Sequence, residues 1–186
     1  MPTKLLPRKA EDQKFRNPLS KAEMEEHKNR AKWRSLHREE ILEPDLPIID
    51  PHHHLWERPG NRYLIDEYLA DVQTGHNIRA SVFVECGSFY RKTGPVLMAP
   101  LGQVEFANGV AAMAASETYG STLICAGIVG TADLRVGAEV ARVLDAQIAA
   151  GGGRFRGIRF ITKWDSDAEL NTGRYSPPRG LMQARD

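Results

Sequence analysis

Cysteine is scarce: Cys86 and Cys125 are the two thiols in 186 residues, far apart and outside any C-x-x-C spacing. Neither a disulfide framework nor a thiolate zinc site is indicated, and a reducing, cytoplasmic setting is expected. Long apolar runs are missing too. Nothing approaches the roughly 20 residues that span a bilayer, and the N-terminus lacks the apolar core of a secretory signal, so no membrane partner is expected. No excess of one charge exists either, with 25 Lys and Arg against 24 Asp and Glu. That balance offers no field for nucleic acid or a polyanion, and a small-molecule substrate is the expected partner. A phosphate-cradling glycine loop is also lacking. Gly151-Gly152-Gly153 follows a helical stretch and precedes a strand-like one, the reverse of the order a dinucleotide site needs.

What is present is 41% hydrophobic and 26% charged, the balance of a globular chain. Residues 1–46 stand apart, with 11 basic and 9 acidic residues interspersed and prolines at 2, 7, 18 and 44. Ser20 followed by Glu23 resembles a capping box, and 23–43 has helix-forming composition with few apolar positions. A charged N-terminal helical extension is expected there, solvated rather than nucleic-acid binding.

From position 47 to 186 the pattern changes to short β-branched runs alternating with amphipathic stretches, the signature of βαβ units and a parallel sheet. Strands are expected at 46–50, 79–85, 121–129 and 156–161, and helices at 64–76, 100–119 and 133–150 with Asp133 as N-cap. Ile48, Val82, Ile124 and Ile158 are expected on the inner face of the sheet. The fold class expected is α/β, a partial (β/α) barrel of about four strands.

Three of the six histidines are consecutive, His52, His53 and His54, directly after an apolar run and Asp50. In an extended strand, residues two apart share a face, so His52 and His54 can present nitrogens to one point while His53 faces away. Two imidazoles so placed suit a metal held at about 2.0–2.1 Å. The C-terminal end of a parallel strand is also where α/β barrels place their sites.

Ile49-Asp50-Pro51-His52-His53-His54-Leu55-Trp56, supported by Val82-Phe83-Val84-Glu85 and Gly157-Ile158-Arg159, resembles the amidohydrolase superfamily. Within it the similarity is to the amidohydrolase 2 branch of sugar-acid lactonases, a pyrone-dicarboxylate lactonase and nonoxidative decarboxylases. The resemblance runs from about Pro47 onward. It implies a TIM barrel in which His52 and His54 are first-strand ligands of a divalent metal, zinc foremost, that activates water and polarises a carbonyl. The expected function is hydrolysis of a small cyclic ester or amide, a lactone first. The alternatives are decarboxylation in the same branch and an inactive fragment lacking the downstream ligands. No histidine follows His76, and a closed barrel takes about 250 residues, so a truncated N-terminal half is expected. Open sheet edges would make it a homo-oligomer.

Other site candidates are weaker. Glu85 ends the second strand and can serve catalysis or an ion pair; Arg159 can anchor a substrate carboxylate or an internal partner. Trp56 either walls a pocket or covers a barrel mouth. Cys86 and Cys125 read as small fillers, and Asp165, Asp167 and Glu169 as a solvated loop.

Overall fold

The computed structural model describes residues 21–37, 39–167 and 179–181. Ser20 and Glu169, and with them the expected capping box, lie outside the described residues. The chain divides into two compact units, one of residues 1–39, 58–62 and 161–186, the other of residues 40–57 and 63–160.

The first unit holds α1 (Lys21–Ser35), rich in Lys, Glu and Ala. It ends about eight residues before the expected boundary. Its large apolar residue Trp33 is 73% exposed, as befits a helix without an apolar stripe.

The second unit is mixed α/β, built on a parallel four-stranded sheet. Its strands are β1 (Ile48–His53), β4 (Ile78–Val84), β5 (Leu123–Gly130) and β6 (Phe155–Ile158). They lie in the order β1-β4-β5-β6. Between β1 and β4 come two short strands, β2 (Trp56–Arg58) and β3 (Asn61–Tyr63), which form their own two-stranded sheet. They were not anticipated: Pro59-Gly60, with Gly60 at φ 73°, is the one turn signal in that stretch.

The crossovers are α2 (Ile65–Val72), α3 (Leu101–Ala115) and α4 (Val140–Ala150). The expected helix from Asp133 is broken into a 3-10 segment, Leu134–Glu139, followed by α4. Gly137 adopts φ 59° and ψ −137° at the break, backbone that glycine takes without the Cβ penalty. Asp133 caps the segment, accepting the Arg135 N–H.

The core lies between one face of the sheet and the helices. Phe83, Ile124 and Ile128 pack with Val104, Val110 and the small faces of Ala107, Ala111 and Ala114 of α3, and Ile65 and Tyr68 of α2 close one end. Each large side chain so buried contributes about 1.5–3 kcal/mol of transfer free energy. Ile124 therefore belongs to the helix-side core and not to the inner face. The β4–β5 register shifts between Ala80 and Val82, and Cys125 has φ 54°, so strict alternation fails along this strand. No described helix is long and apolar enough to cross a membrane.

Candidate metal and substrate site at the end of the first strand

β1 is not regular where the histidines lie. Asp50 pairs with Ser81 and His53 with Phe83, so β1 carries one more residue than β4 between those points. Pro51 has no N–H for a ladder, which is why proline is found at such bulges. The Asp50 side chain stabilises the bend: Oδ1 accepts the His52 N–H at 3.0 Å, the local bond that Asp makes two residues on. Oδ2 accepts the Tyr68 hydroxyl at 2.9 Å.

Beyond the bulge His52 and His54 converge. Their Nε2 atoms are 3.1 Å apart and the rings are perpendicular, 4.8 Å between centroids. The other nitrogen of His54, Nδ1, is 2.7 Å from the Val84 carbonyl oxygen. A carbonyl only accepts, so Nδ1 carries the hydrogen and Nε2 of the neutral ring keeps its lone pair. Burial lowers the pKa of His54, outweighing the Val84 carbonyl, so that lone pair is available at neutral pH.

His53 is buried where His52 is exposed. It is 6% exposed, stacked on Tyr68 at 4.3 Å and edge-on to Phe83 at 5.8 Å, with Nε2 3.6 Å from Cys125 Sγ. Burial pushes its pKa down to about 4, with the Asp50 charge opposing. It is a neutral core residue, so its replacement by alanine would open a cavity. Burial drives the Cys125 thiol up to about 12, leaving it a filler rather than a nucleophile.

A cavity of about 450 Å³ adjoins the two histidines, within the size range of small-ligand sites. Trp56 stacks on Tyr63 at 5.0 Å, and both are among the residues that line it. Tyr63 donates its hydroxyl to Asp71 of α2. Burial and the carboxylate hold its pKa well above the usual phenol range.

Glu85 and Arg159 are brought together. Glu85 is 2% exposed at the end of β4; its Oε1 accepts from Arg159 Nε at 3.1 Å and Nη2 at 3.0 Å. Arg159 also donates to the Glu85 backbone oxygen. Of the alternatives open in the sequence, the geometry supplies the internal ion pair. Cys86 is half-buried, its thiol donating to the Leu55 carbonyl at 3.2 Å.

The histidine pair fits two positions of one metal. With bonds of about 2.0–2.1 Å, nitrogens 3.1 Å apart subtend roughly 100° at the ion, between octahedral and tetrahedral values. Among the described residues no cluster of three or more His, Cys, Asp or Glu completes such a site. Asp50, Tyr68, Tyr63 and Asp71 were not assigned site roles from sequence. Apart from the Asp ahead of the His-x-His, the sequence held no signal for them.

No family model, curated protein or solved structure matches the chain.

Proposed function

We propose that the protein is a metal-dependent hydrolase of a small cyclic ester or amide, a lactone first, and that its sheet is the opening half of a (β/α) barrel of the amidohydrolase kind. The observation that carries the reading is the convergence of His52 and His54 Nε2 at 3.1 Å on the C-terminal end of β1, with the Val84 carbonyl fixing the tautomer of His54. The sequential strand order, without the reversal of a doubly wound sheet, supports the barrel.

When bound there, a divalent ion, zinc foremost, supplies Lewis acidity and activated water. The protein's own part is to hold two neutral imidazoles at the ion and to wall the cavity with Trp56 and Tyr63 against bulk water. Arg159, already engaged by Glu85, gives little support to a carboxylate anchor, which favours lactone hydrolysis over decarboxylation. A second reading, a binding fold without turnover, is favoured by the lack of a third ligand among the described residues. The edge strands β1 and β6 support the proposed homo-oligomer, since a sheet edge invites pairing with another chain.

The test is hydrolysis of five- and six-membered lactones by the zinc-loaded protein, alongside release of CO₂ from aromatic carboxylates. The expected result is lactone opening that stops with a chelator and in His52→Ala. Decarboxylation alone would replace the lactonase reading with the decarboxylase one. A loaded protein inert in both assays would establish the binding fold.

A further inference from the structure

The two candidate ligands are held in different ways. His54 is fixed through its own ring, by the bond from Nδ1 to the Val84 carbonyl. The hold on His52 runs through its backbone, at the bulge where Pro51 offers no N–H and β1 slips its register against β4. There the Asp50 Oδ1 accepts the His52 N–H, while Oδ2 accepts the hydroxyl of Tyr68, a residue of α2 that is 3% exposed.

We infer that Tyr68 is a positioning residue for His52: its hydroxyl fixes the Asp50 carboxylate, and that carboxylate fixes the backbone turn that aims the His52 imidazole at His54. The inference rests on the proposed two-histidine metal site. It assigns Asp50 a structural task, each carboxylate oxygen accepting one hydrogen bond, and it extends the site to α2, whose Tyr68 hydroxyl acts through that carboxylate. The Tyr68 ring is also held by its stack on His53 at 4.3 Å, so Tyr68→Phe removes the hydroxyl, with its bonds to Asp50 and Ser81, and keeps the stacking ring. Groups of this kind behind a ligand govern its orientation, and their loss weakens metal binding by about 10–100-fold.

The experiment is a Co(II) titration of the full chain followed by visible absorption, comparing wild type, Tyr68→Phe, Asp50→Asn and His52→Ala, with a thermal melt of each. The expected result is about 10-fold weaker Co(II) binding by Tyr68→Phe with a changed ligand-field spectrum, and a loss in Asp50→Asn at least as large. A merely structural role would lower the melting temperature and leave the affinity and spectrum of the folded protein as in wild type. Should Tyr68→Phe fail to fold, Asp50→Asn decides by the same criterion. Binding by Tyr68→Phe within about twofold of wild type, while His52→Ala loses it, would overturn the inference alone. A wild type that binds no Co(II) would overturn the metal site and the inference with it.

Discussion

Glu85 carries a charge that is 2% exposed, and what makes that burial tolerable is Arg159, which meets it with two N–H groups on Oε1 and a third contact on its backbone oxygen. Removing one partner of a buried pair leaves the other uncompensated, at a cost of about 3–5 kcal/mol when both are enclosed. The Arg159 side chain is about a third exposed, so water would reach Glu85 in its absence. We therefore expect Arg159→Ala to lose about 2 kcal/mol in urea denaturation and Glu85→Gln to lose less. A loss below about 0.5 kcal/mol for Arg159→Ala would show the pair to be incidental. Sequence could not pair these two, because they are 74 residues apart and either alone has several plausible partners. The His-x-His was readable, since three consecutive histidines after an apolar run are unusual and strand alternation separates the middle one. What alternation missed is the bulge at Pro51 and its support from Tyr68, which comes from another element.

Among the elements, the parallel strands were legible within a few residues because β-branched runs in a sheet covered by helices stand out. The β2–β3 pair was not, since Trp-Glu-Arg and Asn-Arg-Tyr carry no run of apolar residues and are three residues each. The helix expected from Asp133 illustrates a different limit: its apolar periodicity continues through a glycine whose φ of 59° breaks the backbone. Asp133 starts that segment by accepting the Arg135 N–H at 3.0 Å and pairing with the Arg135 guanidinium, which together hold its pKa below the usual carboxylate value despite some desolvation. A folded-state pKa below the unfolded one means that the unfolded chain binds protons first as the solution is acidified. The contribution of Asp133 is therefore complete above the ordinary carboxylate pKa of about 4 and is lost as pH falls through the lower folded value. Asp133→Ala is expected to be less stable than wild type by about 1 kcal/mol at pH 7, the usual worth of such a cap. The gap should narrow below pH 4 in urea melts. A gap independent of pH would point to packing rather than to the charged cap.

Over the whole molecule, the sheet sets the geometry of the site. Parallel strands in chain order put the C-terminal ends of β1 and β4 side by side, and that is what brings the Val84 carbonyl to His54 and leaves His52 facing the cavity. From α2 the same cavity is lined by Tyr68, Asp71 and Val72, and His53, stacked on Tyr68 and 6% exposed, borders it too. The central claim is that His52 and His54, and not His53, bind one divalent ion. Calorimetric titration of zinc into wild type, His52→Ala, His54→Ala and His53→Phe tests it most directly, phenylalanine being chosen to keep the stack on Tyr68. The account predicts one ion per chain for wild type, at least 10-fold weaker binding in each alanine variant, and His53→Phe within about threefold of wild type. Zinc bound equally by wild type and both alanine variants, or lost as fully in His53→Phe, would contradict it.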